Sequence, residues 1–336
     1  MSRPTIICLT PIKNESWVLD RFLKCVSLWA DHIIIADQMS DDKSREIARS
    51  YSKVTLLDNT SPIFDEPFSQ NLLLDAARRI PGPRLLVALD ADEVLSATYM
   101  NSLEWETLMK SPIGTVGLFK IINLAPDLHH CWLAGSGNYF PLAFMDDGSE
   151  HVASKIHGLR IPVPPRSPRI LLQDIRVLHY QFTDWERMRS KHRWYQCWER
   201  LNQPSKSAIG IYREYHHMDA ITINERMSIN HAWLAGYEQQ SIDMTSTNSE
   251  SSYRWDREIL ALFAEHGVQK FKRESIWDKS WPSLSRNLQF NESPNSFLDP
   301  RSFPDKLVHA WLRRTQSHAS TLLVRFIDQL LSYIGW

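Results

Sequence analysis

Short apolar segments alternate with amphipathic ones through residues 5–94, and this alternation constrains the fold more than any other feature of the sequence. Four segments rich in aliphatic residues predict buried strands, at residues 5–9, 32–36, 54–57 and 85–89. Three segments between them have apolar residues close to helical spacing, at residues 15–30, 43–51 and 68–80. This order predicts a parallel sheet with right-handed crossovers.

Each predicted strand ends in polar residues. The four groups are TPIKNE at 10–15, DQMSDD at 37–42, DN at 58–59 and DADE at 90–93. In open α/β sheets, ligands bind beyond the carboxyl ends of the strands. We therefore expect the four groups to converge on one crevice, which would put the three carboxylates of DADE at the mouth of a site and not inside the core.

The charge balance and the hydropathy exclude several classes of function. The 336 residues include 38 Lys and Arg against 39 Asp and Glu, so no bulk positive charge favours nucleic-acid binding. Four cysteines lie without CxxC spacing, which predicts reduced core thiols. The apolar run near the first residue is too short for a signal peptide, and no 18-residue apolar stretch occurs. The sequence therefore predicts a cytoplasmic protein, with peripheral membrane contact as an open addition.

Asp90 and Asp92 form a D-x-D pair directly after the fourth predicted strand. Mg²⁺ and Mn²⁺ often bind one or two carboxylates together with substrate phosphates. In an extended segment the two aspartates would point to the same side. The pair therefore predicts a divalent-cation site, in which the cation also neutralises the DADE carboxylates. An acidic turn or a helix N-cap is the alternative.

Four motifs follow one another in register: TPIKNE, HIIIADQMSDDKSREIA, FSQNLLLDAARRI and RLLVALDADEV, over residues 10–94. Together they resemble the nucleotide-sugar-binding half of family 2 glycosyltransferases with the GT-A fold. The likeness is strong over roughly the first 100 residues and looser to residue 200.

The resemblance implies an α/β fold with a GT-A-like, Rossmann-type, mainly parallel sheet flanked by helices. The glycosyltransferase domain would span residues 1–240, with the nucleotide-sugar-binding half at 1–110 and the acceptor half at 111–240. A mostly helical C-terminal region would follow at 241–336. The implied reaction transfers a sugar from a UDP- or GDP-linked donor to an acceptor hydroxyl, with inversion. Glycan, lipid-linked and small-molecule acceptors all stay open.

The family's motifs imply roles at the matching positions of the first two loops. Thr10, Pro11 and Glu15 would line the nucleotide pocket. Asp37 would read the base, and Asp41 would hold its loop or the nucleotide. A carboxylate that stabilises the start of a helix is an equally open explanation of Glu15 and of Asp41.

The implied cation site draws on two distant segments. Asp90 would contact the ribose or a metal-bound water, and Asp92 would ligate the Mn²⁺ or Mg²⁺ that bridges the diphosphate. In RVLHYQFTDWERMRSKHRWY, residues 176–195, His179 would complete the metal site and Lys191 would meet the diphosphate. A neutral imidazole suits Mn²⁺, and a cation stabilises a leaving diphosphate.

The catalytic base departs from the family pattern. Some relatives have His-Glu before the histidine strand, whereas SKIHGL at 154–159 has Gly158 in the place of the acid. An inverting transferase needs a carboxylate or a histidine near the acceptor hydroxyl. Glu150 is the first candidate, Asp147 and Asp146 follow, and His157 comes last. A solvated acidic loop explains these acids equally well.

Two other functions remain open. DADEV also fits the D-x-D-x-(Thr/Val) pattern of aspartyl-nucleophile phosphatases, although that pattern normally ends an early strand. A catalytically degenerate protein that only binds a glycan or a nucleotide would explain the missing His-Glu.

Residues 306–335 return to helical spacing with a wide apolar stripe. The stripe consists of Leu307, Val308, Trp311, Leu312, Leu322, Leu323, Phe326, Ile327, Leu330, Leu331 and Ile334. Packing on the protein's own core, formation of a homo-oligomer and docking on a membrane surface are the three open explanations.

Overall fold

The computed structural model describes residues 3–61, 65–152, 158–247 and 252–336. The chain divides into two compact units, Met1–Thr183 with Met227–Asn248 and Asp184–Arg226 with Ser249–Trp336. The domain limits at residues 110 and 240 stay a prediction.

The first unit is built on a sheet that has ten strands among the described residues. In chain order these are β1 (Thr5–Ile12), β2 (His32–Asp37), β3 (Val54–Asp58), β4 (Arg84–Ala88), β5 (Glu93–Leu95), β6 (Val116–Leu124), β7 (His130–Leu133), β8 (Tyr139–Met145), β9 (Arg169–His179) and β10 (Met227–Ser228).

The α-helices of the described residues are α1 (Leu19–Val26), α2 (Ser44–Arg49), α3 (Glu66–Arg78), α4 (Leu103–Met109), α5 (Trp185–Asn202), α6 (Ala208–Tyr215), α7 (Ala232–Glu238), α8 (Arg254–His266), α9 (Trp281–Asn287), α10 (Phe303–Thr315) and α11 (Leu322–Tyr333). The first four and α7 belong to the first unit, and the others belong to the second.

The sheet is mixed, with a parallel half. Its order is β10-β7-β6-β8-β4-β1-β2-β3, and β9 pairs with both β5 and β6. β1 is parallel to β2 and β4, and β2 is parallel to β3. β8 runs antiparallel to both β4 and β6. The α/β class, the flanking helices and the helical C-terminal region are therefore confirmed, and the architecture is consistent with a GT-A-like fold.

Both faces of the parallel half are buried, as its near-continuous apolar strands require. On one face, Ile6 of β1 belongs to the same apolar cluster as Phe22 of α1. On the other face, Ile7 clusters with Leu73 of α3. Successive residues of β1 thus pack against opposite layers of helices, and this alternation fixes the register of the strand.

The four predicted strands and the three helices between them are present with shifted ends. The helix predicted at 15–30 is shorter and begins at Leu19, because residues 16–18 form a turn in which Val18 and Leu19 donate backbone hydrogen bonds to the Glu15 carbonyl. The strands β5 and β7 were not predicted from the sequence, since segments of three and four residues show no clear alternation.

In the second unit, α5 begins where the sequence predicts, because Asp184 accepts a hydrogen bond from the Arg187 backbone N–H at 3.0 Å. The helix predicted over 306–335 is two helices, α10 and α11, separated by residues 316–321. No helix among the described residues is both long and apolar enough to cross a bilayer.

Candidate functional site

The carboxyl ends of β1 to β4 lie at one edge of the sheet. Ile12 is in register with Asp37, and Asp37 is in register with Asp58. β4 lies beside β1 in the same direction and leads into Asp90. The four polar strand ends therefore lie at one edge of the sheet, which we call the carboxyl edge. That they line one crevice stays a prediction.

Hydrogen bonds tie the loop after β1 to the loop after β2. The Asn14 backbone N–H donates to Ser40 Oγ at 2.8 Å, and Asn14 Nδ2 donates to Asp41 Oδ1 at 2.7 Å. The Asp41 N–H donates back to Asn14 Oδ1 at 3.0 Å. Asn14 has a φ of 57°, in the left-handed region that Asn tolerates better than most residues. The two loops therefore form one braced wall, in which Asp41 holds Asn14.

Asp42 and Glu15 strengthen the same wall. Asp42 accepts backbone hydrogen bonds from Ser44 at 2.8 Å and Ser16 at 3.0 Å. Burial would raise the pKa of Asp42, but the bonds from Ser44 and Ser16 lower it below its usual value. Glu15 accepts from Trp17 Nε1 at 2.7 Å, and its backbone N–H donates to Ser44 Oγ at 2.8 Å.

Thr10 and Pro11 lie inside β1 and not in the loop. Thr10 is fully buried, with its hydroxyl 3.6 Å from the sulfur of Cys8. Pro11 is half-buried and lies in register with Ala36 of β2. Their part in a nucleotide pocket stays a prediction.

Asp37 is buried at the end of β2 and is only partly satisfied. Its Oδ2 accepts from Arg45 Nη1 and from the Ser40 backbone N–H, the latter at 3.3 Å. Arg45 also donates to Asp58 Oδ1 at 2.6 Å, and hydrogen bonding to Asp58 and Asp37 raises the pKa of Arg45. Asp37 Oδ1 is buried and has no hydrogen-bond partner among the described residues. A buried carboxylate oxygen without a partner costs free energy, so a ligand N–H is a fitting partner for it.

DADE forms a turn and not an extended segment. The Glu93 N–H donates to the Asp90 carbonyl at 2.9 Å, so the prediction that strand alternation aligns Asp90 and Asp92 is wrong. The turn leads into β5, where Glu93 is 1% exposed. The two aspartates consequently have different surroundings.

Arg160 neutralises two of the three carboxylates. Its Nη2 donates to Asp90 Oδ2 at 2.8 Å, and both of its terminal nitrogens donate to Glu93. Burial alone would lower the pKa of Arg160, but Asp90 and Glu93 raise it above its usual value. The sequence predicted that a bound cation would neutralise these carboxylates, but an arginine neutralises Asp90 and Glu93 instead.

Asp92 faces His179. The distance from Asp92 Oδ1 to His179 Nε2 is 3.6 Å, and their side chains are 9% and 16% exposed. His179 Nδ1 lies 3.0 Å from Asn123 Oδ1, to which it donates. This bond orients the ring so that Nε2 is the nitrogen that faces Asp92. The Asp92 carbonyl is held in turn by the Tyr180 N–H at 2.8 Å.

The pair fits one divalent cation that takes its other ligands from a substrate. Neighbouring ligands of an octahedral cation with bonds of about 2.1 Å lie about 3 Å apart, so a small rotation would bring both atoms to one ion. Among the described residues, no cluster of three or more His, Cys, Asp and Glu side chains could hold a metal alone. An imidazole oriented by a second hydrogen bond is typical of metal ligands.

The structure does not bring Asp147 to the carboxyl edge. Asp147 follows β8, which runs antiparallel to β4, so it lies at the edge where β4 begins. Its neighbour Asp146 is engaged by Arg78 and Arg84, each at 3.0 Å. Because β4 separates the two edges, this placement does not support a base role for either acid.

Glu150 is exposed beside α3. Just before it in the chain, the Ser149 carbonyl accepts a hydrogen bond from Arg78 Nη2 at 2.7 Å. Just after it, His151 Nε2 lies 2.7 Å from Gln70 Oε1. Both contacts are to α3, and no described contact joins Glu150 to Asp92.

His157 lies outside the described residues. Lys191 lies in α5 of the second unit, and its role stays a prediction; Arg193, two residues later, pairs with Asp278 at 2.7 Å.

The hairpin between β6 and β7 brings to the carboxyl edge a histidine, His130, that was not predicted from the sequence. His130 Nδ1 donates to Asp127 Oδ2 at 2.7 Å. Burial would raise the pKa of Asp127, but hydrogen bonds from His130 and His129 lower it to about 2. Between β6 and β7, Asn123 pairs with Trp132, and the Ala125 N–H donates to the His130 carbonyl. Because residues two apart in a strand share a face, His130 lies on the same face as Asn123. Asn123 also pairs with His179 of β9, so His179 lies on that face too.

No protein-family model matches the sequence, and no curated protein matches it. Solved structures match over part of the chain. One is glucosyl-3-phosphoglycerate synthase from Mycobacterium tuberculosis, in complex with Mn²⁺, uridine-diphosphate and phosphoglyceric acid, at 17% identity and a TM-score of 0.28. That match covers 36% of this chain and 44% of the synthase, so the chain spans less than half the length of that protein.

Two further matches have similarly low scores. A 4-diphosphocytidyl-2C-methyl-D-erythritol synthase has 13% identity and a TM-score of 0.31, over 43% of this chain and 76% of its own. A mannose-1-phosphate geranyltransferase from Thermus thermophilus has 12% identity and a TM-score of 0.27, over 38% of this chain and 44% of its own.

Proposed function

We propose that the protein is a divalent-cation-dependent glycosyltransferase that moves a sugar from a nucleotide-diphosphate sugar to an acceptor hydroxyl, with inversion. The observation that supports this most is the pairing of Asp92 with His179 at the carboxyl edge, with Asn123 orienting the imidazole. With two protein ligands, most coordination positions of a cation stay open to oxygens of a diphosphate. Mg²⁺ and Mn²⁺ are usually held in this way in nucleotide sites.

The donor's nucleotide would bind against the wall formed by the loops after β1 and β2. Asp37 Oδ1, which has no hydrogen-bond partner among the described residues, would accept an N–H from the base. Arg45 donates to the other oxygen of the same carboxylate. Asp90 is 41% exposed and is held by Arg160, so it can accept a hydrogen bond from a ribose hydroxyl. When bound, the cation would stabilise charge on the departing diphosphate.

The acceptor's proton would go to His130. As the acceptor oxygen forms its bond to the anomeric carbon, the bond from that carbon to the diphosphate oxygen breaks, and its electron pair leaves with the diphosphate. Nε2 of His130 takes the hydroxyl proton, while Asp127 holds the ring through Nδ1. An imidazole oriented by a carboxylate is a common general-base arrangement.

The test is calorimetry with UDP and with GDP, each with and without Mn²⁺, followed by a screen of sugar nucleotides for release of nucleoside diphosphate. We expect Mn²⁺-dependent binding and turnover, and we expect Asp92→Asn to lose both. Asp75→Asn, at an exposed position of α3, is the matched control and should keep them.

Three results would contradict the proposal. Full Mn²⁺-stimulated turnover in Asp92→Asn would remove the metal assignment. Hydrolysis of p-nitrophenyl phosphate that Asp90→Asn abolishes, without any use of sugar nucleotides, would favour a phosphatase. Metal-dependent nucleotide binding with no turnover of any donor would favour a protein that only binds.

A further inference from the structure

The helix α11 has two faces, and only one of them is used within the second unit. On the inner face Val324 is buried, Leu331 packs against an apolar cluster that includes Leu312 and Trp336, and Asp328 pairs with Arg213 at 2.9 Å. Because these contacts anchor the helix, its fold does not depend on the outer face.

The outer face is apolar and exposed. Six large side chains on it are 49–83% exposed: Leu322, Leu323, Phe326, Leu330, Tyr333 and Ile334. At about 100° per residue the five within α11 fall within an arc of about 100°, and Ile334 follows the helix directly. A contiguous apolar patch of this kind on a folded protein usually marks a surface that binds something. We call these six residues the outer face of α11.

The exposed charges of residues 306–336 are basic. Between residues 306 and 336 the charged side chains are Lys306, Arg313, Arg314, Arg325 and Asp328. The only acid among them, Asp328, is already paired with Arg213, whereas the exposed Arg313, Arg314 and Arg325 form no ion pair within the described residues. Arg325 lies about 60° around α11 from Leu322, at the edge of the outer face. The helix α10 packs on the inner face of α11, where Trp311 Nε1 donates to Asp328 Oδ1 at 3.1 Å.

We propose that the outer face of α11 docks on an anionic lipid surface. An amphipathic helix with Leu, Phe and Tyr on one side and an arginine at the edge of that side can lie in the headgroup region, where its apolar side chains reach the acyl chains and the arginine meets a lipid phosphate. A second copy is a poorer partner for the same face. It would bring the same arginines together, and the segment offers no unpaired acid to neutralise them.

The test is co-sedimentation of the full chain with vesicles of phosphatidylcholine alone and of phosphatidylcholine with phosphatidylglycerol, at low and at physiological salt. We expect binding only to the anionic vesicles, weaker at the higher salt. Leu323→Glu with Phe326→Glu should abolish it. Arg325→Gln should lower it by about fivefold.

Leu103→Glu is the matched control, because Leu103 is 77% exposed in α4 of the first unit. It should bind as the unchanged chain does. If the double glutamate variant does not fold, the exposed arginine variant decides the question. Equal binding to both kinds of vesicle would overturn the proposal, and so would a monomeric chain that binds neither. A dimer in light scattering that Leu323→Glu with Phe326→Glu splits, without vesicle binding, would instead assign the face to a second copy.

Discussion

One arginine explains how three carboxylates can occupy four consecutive positions. Arg160 bonds to Asp90 and to Glu93, and Glu93 is almost fully buried. Asp92 faces His179, with 3.6 Å between Oδ1 and Nε2. A single guanidinium therefore divides DADE into a structural pair and a potential metal ligand.

Arg160→Gln should destabilise the first unit. Removing one partner of a buried ion pair leaves an uncompensated charge, here Glu93 beside Asp90, and typically costs about 3 kcal/mol or more of the free energy of unfolding. Urea unfolding at neutral pH would measure the loss. Arg160→Lys should recover part of it, because a lysine restores the charge without the two-pronged geometry.

The double variant Arg160→Gln with Glu93→Gln is the informative control, since it removes both buried charges. It should be more stable than Arg160→Gln alone. A single Arg160→Gln variant that unfolds at the same urea concentration as the unchanged chain would show that the carboxylates do not depend on this arginine.

At the scale of elements, the sequence predicted the strands and helices whose residues form local, periodic patterns. The parallel strands β1 to β4 have continuous apolar runs, and strand direction alone placed Asp37 and Asp90 at one edge. The partner of DADE could not be predicted in the same way, because Arg160 lies 70 residues from Asp90 and its segment has no periodic pattern.

The positions of the base candidates could not be predicted for a related reason. The acids after β8 were chosen by their order in the chain, but β8 is antiparallel to β4, and sequence periodicity does not report strand direction. The β6–β7 hairpin was missed because β7 has only four residues. Its PDLHH tip, residues 126–130, held the one available signal, an acid three residues before a histidine.

The β6–β7 hairpin gives a prediction of its own. His130→Gln should lower kcat by about 10²- to 10⁴-fold, the usual contribution of a general base, and leave Mn²⁺-dependent nucleotide affinity unchanged. Steady-state kinetics beside calorimetry would separate the two effects. His129→Gln, at the adjacent exposed histidine, is the control and should turn over normally. Equal kcat values for the two variants would move the base elsewhere.

At the scale of the whole molecule, the second unit contains three histidines that burial keeps neutral. Burial lowers the pKa of His192 to about 3 and the pKa values of His216 and His309 to about 4. His309 shows why: its Nε2 donates to the Arg273 carbonyl at 2.9 Å, and its Nδ1 accepts from Arg301 at 3.0 Å. A proton on Nδ1 would displace Arg301 and leave two cations in contact.

The unit should therefore lose stability as the pH falls below about 6.5, where the histidines of an unfolded chain begin to bind protons that the folded unit does not accept. Above that pH the folded and unfolded chains hold the same imidazole protons, so this contribution is complete. Below it, each histidine lowers the free energy of unfolding by up to about 1.4 kcal/mol per pH unit, until the pH reaches its folded-state pKa.

Urea unfolding followed by tryptophan fluorescence at pH 7 and pH 5 would measure this loss in a range where most carboxylates stay ionised. His309→Gln should reduce the difference between the two pH values by about one histidine's share, because its amide can still donate to the Arg273 carbonyl but does not titrate. His318→Gln changes an exposed imidazole and should leave the difference as it is. Equal stability of the unchanged chain at both pH values would mean that the three histidines are protonated as easily in the folded unit as in the unfolded chain.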